Sequence, residues 1–255
     1  MRRLLILIIF VMSAGVVSAS LHTPALAAES SVQASITTPI HTEASTSESL
    51  PKEVALTFDD GPYGTSTEKI LQILEENKVP ATFFVIGQNV RKYPALVKRM
   101  LLDGDAIGNH TYYHSHLELL STPLFLQQVA MTDAVIASTT GVHTKLFRAP
   151  YGVITPSEEM ALTKRGYHTY SWNVDPRDWD DASSTTRTIF DTLVKQKQKQ
   201  MIVLLHDGRD IHIDYSRDNT IGALPLIIDE LREKGYRFVR ADRMATTSVT
   251  KILIS

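Results

Sequence analysis

Five short clusters in this 255-residue chain carry side chains whose types and spacing suit chemistry. Asp59 and Asp60 stand together in Leu56-Thr57-Phe58-Asp59-Asp60-Gly61-Pro62, and His110 and His114 bracket Thr111-Tyr112-Tyr113. Arg148 precedes Ala149-Pro150-Tyr151, while Asp175, Asp178 and Trp179 share one short run. His206 ends an apolar stretch, Met201-Ile202-Val203-Leu204-Leu205. Singly, each has an ordinary reading. Asp-Asp before Gly-Pro suits a solvated turn. The H-x-x-x-H spacing puts two rings on one side of a helical turn, yet alone it is more often surface than metal site. Arg148 suits a structural ion pair, and Asp178-Trp179 a polar corner over an aromatic. His206 is hardest to dismiss, because the run before it is so apolar. Together they offer a carboxylate and two imidazoles, the mixed oxygen–nitrogen set of a Zn2+-type hydrolytic centre with an open position. Another carboxylate and another histidine remain for base and acid work, so the chemistry reads as metal-assisted hydrolysis.

The elements that must position these groups follow a regular alternation. Residues 54–58, 81–86, 105–108, 145–148, 167–172, 201–205 and 236–239 read as β-strands. Between them lie helical patterns. Thr65-Ser66-Thr67-Glu68 has capping-box spacing ahead of Ile70, Leu71 and Leu74, and Pro94 opens a stripe of Leu96, Val97, Met100 and Leu101. A longer helix follows Ser121, and Thr155-Pro156-Ser157-Glu158 starts another that Gly166 closes. Residues 185–197 form a further helix, and Leu224, Ile227, Ile228 and Leu231 stripe the last. Strand and helix alternating about seven times favour a parallel α/β sheet with helices outside, doubly wound or closed as a barrel. Every cluster then falls at the carboxyl end of a strand, the face on which such folds hold their sites.

The chain begins Met1-Arg2-Arg3, followed by an apolar run at residues 4–17 and small-residue sites at Ala19 and Ala27. That is the pattern of a secretory signal peptide at residues 1–27, and the run is shorter than the roughly 20 residues a membrane span needs. Residues 28–50 are rich in Ser, Thr and Ala without apolar periodicity, a flexible linker. Residues 51–255 then form one catalytic domain. The expectation is a secreted or cell-surface protein with no stable membrane span once the leader is removed. With no Cys, stability rests on the core alone. The net charge of −2 becomes −4 without Arg2 and Arg3, which argues against nucleic acid as a partner.

The motifs Thr57–Pro62, His110–His114, Arg148–Tyr151, Asp175–Trp179 and Leu204–His206, in this order, resemble those of the polysaccharide deacetylases. These share the NodB homology domain and form carbohydrate esterase family 4. The resemblance covers about residues 52–240 and implies a single-domain, TIM-like, distorted (β/α)7 barrel. It implies Asp59 as general base, with Asp60, His110 and His114 holding one divalent metal ion, Zn2+ first, with Co2+, Ni2+ or Mn2+ as alternatives. Arg148 would hold Asp59, and Asp178 would keep His206 protonated as general acid. Trp179 and Leu204 would wall the acetyl methyl group, and the Tyr151 amide would hold the oxyanion. The implied activity is N-deacetylation of N-acetylglucosamine residues in a peptidoglycan or chitin-like glycan by a monomer. An O-acetyl esterase acting on xylan or another acetylated polysaccharide is the alternative, and a non-catalytic wall-associated protein a more distant one. Asp180 and Asp181 depart from the pattern after Trp179, the 208–217 loop looks long, and His116, His143, His168 and His212 match no motif, reading as surface or core residues.

Overall fold

The computed structural model describes residues 50–208 and 217–245. The expected signal peptide, the linker up to residue 49, His212 and most of the 208–217 loop lie outside the described residues. Among the described residues no helix is long and apolar enough to cross a membrane.

All seven expected strands are present, and all pair in parallel. They are β1 (Glu53–Asp59), β2 (Ala81–Val85), β3 (Ala106–Asn109), β4 (Leu146–Phe147), β5 (His168–Thr169), β6 (Gln200–His206) and β7 (Arg237–Phe238). Their order is β5-β4-β3-β2-β1-β6, with β7 pairing the start of β1. β1 is buried along its whole length because it is central, with β2 on one side and β6 on the other. Register places Asp59 opposite His206, so two of the clusters meet by strand pairing alone.

Among the described residues seven main helices flank the sheet: α1 (Gly64–Asn77), α2 (Gly87–Lys92), α3 (Pro94–Leu102), α4 (Thr122–Thr140), α5 (Pro156–Thr163), α6 (Thr186–Lys195) and α7 (Asp218–Glu233). The apolar stripes read from the sequence do the packing. Ile70, Leu71 and Leu74 of α1 and Leu224, Ile227, Ile228 and Leu231 of α7 join Val54, Leu56, Phe58, Val203 and Leu205 in one core. Within it Phe58 stacks on Phe83 at 5.1 Å. Each such side chain contributes roughly 1.5–3 kcal/mol on burial. A smaller core of Leu117, Phe125, Val129, Phe147 and Leu162 lies under α4 and α5.

The structure corrects four local expectations. The strand expected over 167–172 stops at Thr169, because the Tyr170 and Ser171 carbonyls accept hydrogen bonds from Arg148. The chain then crosses to β6, where Val174 pairs with Val203. The sheet therefore curls until the chain leaving one edge strand reaches the other. The capping box expected at Thr65 is absent: α1 starts at Gly64, and Thr67 Oγ1 accepts from the Tyr63 amide while donating to Asp207. The box at Thr155 and Glu158 does form, with Pro156 at the first helical position. Finally, α2 carries no stripe long enough to announce it, and His110–His114 is not a helical turn but a loop with left-handed Thr111 (φ 64°) and His114 (φ 54°).

Candidate active site

Five loops meet at the carboxyl end of the sheet. At the end of β1 the chain turns sharply: Asp60 has φ 72°, so its side chain leaves the strand in a different direction from that of Asp59. Backbone contacts fix this turn. The Ile86 amide donates to the Gly61 carbonyl at 2.9 Å, and Asn89 Nδ2 donates to the Asp60 carbonyl at 2.7 Å. On the other side Gly208 packs so closely that a Cβ there would lie 2.2 Å from the Asp60 carbonyl oxygen. Only glycine allows the loop after β6 to approach the loop after β1 in this way.

Asp59 points toward the fully buried Arg148. Arg148 Nη1 donates to Asp59 Oδ1 at 2.8 Å and to Thr57 Oγ1 at 2.8 Å. Its other donors reach the carbonyls of Tyr170 and Ser171, and its guanidinium lies 4.2 Å from the Phe84 ring centroid. Burial lowers the Arg148 pKa, and the carboxylate of Asp59 opposes that shift. A charge pair this buried is stable only when its remaining donors are satisfied, as they are here.

Asp60, His110 and His114 are all buried and present one ligand atom each, all within 4.8 Å of one another. His110 Nε2 lies 3.4 Å and His114 Nε2 3.1 Å from Asp60 Oδ1. That oxygen is buried and accepts no well-aligned hydrogen bond. Burial alone would push the Asp60 carboxyl up, but His114 and His110, with help from His206, hold it well below the usual carboxylate range. His110 Nδ1 faces the Arg148 carbonyl at 2.8 Å. A carbonyl only accepts, so Nδ1 carries a proton, and Nε2 is the ring nitrogen that faces Asp60 and His114. A buried carboxylate oxygen without a donor, beside two imidazole nitrogens, fits a divalent cation. The second oxygen of Asp59 is 3.8 Å from His110 Nε2, so the carboxylate held by Arg148 borders the same space.

His206 enters from the end of β6. Its backbone amide donates to Asp178 Oδ2 and its Nδ1 to Asp178 Oδ1, both at 2.8 Å. Thr220 Oγ1 donates to Oδ2 at 2.9 Å, and Arg217 holds the Asp178 and Gly208 carbonyls. Burial would lower the His206 pKa, but Asp178, with Asp60 and Asp59 behind it, raises it to about 9. In turn, burial would raise Asp178, and His206 with Arg217 outweighs it and lowers its pKa.

Tyr151 lies at the rim, half exposed, with φ 58°. Its ring sits 4.7 Å from that of His114, and His116 stacks on it at 4.0 Å with the planes 6° apart. His116 thus belongs to the site rim, where its Nδ1 meets Glu118 at 3.1 Å. Trp179 is also exposed; its Nε1 donates to Asp175, and Arg177 covers its ring at 5.0 Å. Leu204 is buried two residues before His206. Thr57 stands inside the first motif, but Thr220, Arg217, Gly208 and His116 had no signal of a site role in the sequence, because most of their partners lie in other loops of the site.

A family model, Polysaccharide deacetylase, matches residues 46–170. A peptidoglycan-N-acetylglucosamine deacetylase of Bacillus cereus is 37% identical over 196 residues, which is 77% of this chain and 69% of the relative. A chitooligosaccharide deacetylase of Bradyrhizobium sp. is 35% identical over 192 residues, 72% of this chain and 87% of that one. Among solved structures, peptidoglycan deacetylase PdaC from Bacillus subtilis superposes with a TM-score of 0.68 at 34% identity, covering 76% of this chain and 90% of that one. Both the sequence relationship and the curled parallel sheet lead to one conclusion: this chain belongs to the polysaccharide deacetylase family.

Proposed function

We propose that this protein is an exported, metal-dependent N-deacetylase that removes acetyl groups from N-acetylglucosamine residues of a glycan, peptidoglycan first and chitin-like chains second. The observation that carries this reading is the convergence of Asp60, His110 and His114 beside a carboxylate held by a buried arginine and opposite an imidazole held by Asp178. The relatives' peptidoglycan and chitooligosaccharide activities support it, and the apolar leader supports export.

Asp60, His110 and His114 would hold the cation, Zn2+ by their donor types, which when bound polarises a carbonyl and makes water a better nucleophile at neutral pH. Asp59, oriented by Arg148, takes the proton from the attacking water. The backbone N–H of Tyr151 donates to the oxygen of the tetrahedral adduct. His206 protonates the departing amine through Nε2, since Nδ1 is committed to Asp178. An amide anion leaves poorly, so this proton decides whether the C–N bond breaks. Trp179 and Leu204 wall the acetyl methyl group. Acetate and a free amino sugar result.

Acetate release from N-acetylglucosamine oligomers, peptidoglycan and acetylated xylan, with and without a chelator, tests the reading. Release from the first two, lost on chelation and restored by divalent metal, is expected. Asp59→Asn should lose on the order of 10²–10⁴-fold in kcat while still binding metal. Turnover confined to xylan would favour the O-acetyl esterase, and turnover that survives chelation would sink the metal-centred mechanism.

A further inference from the structure

An open groove of about 440 Å³ lies beside the site, lined by Gln88, Arg91, Lys92, Tyr112 and Tyr113. Its walls come from the segments that follow β2 and β3, so it opens at the same end of the sheet as the catalytic groups. It is tied to them directly. The Gly87 amide donates to the Thr111 carbonyl between the two histidine ligands, and Asn89 on the same helix holds the Asp60 carbonyl.

Its two cations are exposed and rest against aromatic side chains. Among the described residues Arg91 and Lys92 pair with no carboxylate and are held by tyrosines instead. Arg91 Nη1 donates to the Tyr112 hydroxyl at 3.3 Å. Lys92 Nζ lies 5.1 Å from the Tyr93 ring centroid and 5.9 Å from that of Tyr63. Both charges remain exposed, and so does the Tyr113 ring, edge-on to Tyr112 at 4.8 Å. A guanidinium with free donors takes a carboxylate in paired hydrogen bonds, and an exposed tyrosine offers a flat face to a sugar ring. On a chain with a net charge of −2, this is a local invitation to an anionic ligand.

We infer that this groove binds a carboxylate-bearing sugar of the same strand, flanking the acetamido unit in the catalytic site. A muramic unit of peptidoglycan has that chemistry, through its lactyl carboxylate or through the carboxylates of its stem peptide. Arg91 and Lys92 thereby favour peptidoglycan over neutral chitin-like chains. The inference rests on the deacetylase reading for its flanking position but not for the binding itself.

The test compares wild type with R91Q/K92Q, as metal-loaded full chains, on four ligands. They are an N-acetylglucosamine hexamer, intact peptidoglycan strands, strands stripped of their peptides, and stripped strands whose carboxylates have been reduced. The ratio of kcat/KM on carboxylated strands to that on the hexamer should fall about 3- to 10-fold in the variant, through KM, as expected for two exposed charge contacts. Added salt should shrink the wild-type preference similarly. If stripping the peptides keeps the difference, the lactyl carboxylate is the ligand; if it abolishes the difference, the stem peptide is. Equilibrium binding of the same ligands separates the two readings. A wild-type protein that binds carboxylated strands more tightly than the variant but releases no acetate sinks the deacetylase reading and keeps the groove. Equal binding of carboxylated and reduced strands by both proteins overturns the groove, whatever the turnover.

Discussion

In the proposed mechanism, His206 is the residue on whose charge state the reaction depends most visibly. Asp178 accepts from both its backbone amide and its ring, and holds its pKa near 9 against the pull of burial. The acid form therefore persists through neutrality and is lost as pH rises through that value, giving an alkaline limb to the rate profile. A cation at Asp60 cancels part of the pull from the two carboxylates, so the limb stands at or below pH 9. Asp178→Asn removes the main stabilising charge. The limb should move to lower pH, and kcat at pH 8 should fall on the order of 10- to 100-fold while activity near pH 6 is better preserved. A pH–rate profile checks this; an unmoved limb would mean that another group supplies the proton. Tyr151 illustrates the same scale differently. A tyrosine at positive φ is costly backbone, and its ring stacks on His116 and meets the His114 ring at a tilt, which helps over-determine that conformation.

Among the elements, the two that matter most are neighbours in the sheet. β1 delivers Asp59 and Asp60, β6 delivers His206, and their parallel register sets the proposed base against the proposed acid before any side chain is placed. Beyond the strand ends, Gly208 lets the two loops touch, and both Asp207 and Gly208 donate their amides to the Asp59 carbonyl. Gly208→Ala would place a methyl group against the Asp60 carbonyl, an atom of backbone that cannot rotate aside. It is expected to cost about 1–3 kcal/mol in stability or to displace Asp60, with a matching loss of metal affinity. Thermal denaturation and a metal titration together read both results, and no change in either would show that the loops are looser than their packing indicates.

At the scale of the whole molecule, the domain carries buried carboxyls outside the ligand set, and these tie its stability to pH. Burial pushes Asp105 up to about 7, against the Ala81 amide that donates to it at 2.8 Å. A carboxyl raised above its unfolded value stabilises the fold while protonated, and that contribution is lost as pH climbs from about 4 through 7. Asp207, raised to about 7 by burial and by Asp60, acts in the same direction, and His206 extends the decline toward pH 9. Asp60 and Asp178, whose pKa values are lowered, oppose it only in acid, where they protonate. The melting temperature should therefore fall between pH 5 and pH 9. Asp105→Asn keeps the acceptor for Ala81 without the charge, so it should flatten the decline and raise Tm at pH 8 on the order of 5 °C. A parallel pair of melting curves, with the variant no more stable than wild type at pH 8, would contradict this.

Much of the architecture was legible from local pattern. Apolar runs such as residues 201–205 and the α7 stripe need no partner to declare their type, and the polar clusters at strand ends placed the site on one face. Local chemistry failed where a distant group intervened. The capping box expected at Thr65 gave way because α1 starts a residue earlier, at Gly64, with the next turn tied through Thr67 to Asp207, 140 residues away in sequence. The strand after Tyr167 ended early because Arg148 claims its carbonyls. Side-chain types and their order along the chain thus determined which chemistry was available: two carboxylates, two paired imidazoles, and a further histidine after a buried strand. The family resemblance implied which carboxylate meets the arginine and which the histidines, and the folded chain supplies the physical basis of that division. That division depends on a left-handed Asp60, on parallel register and on the pairing of charges removed from water, none of which residue type or spacing can express.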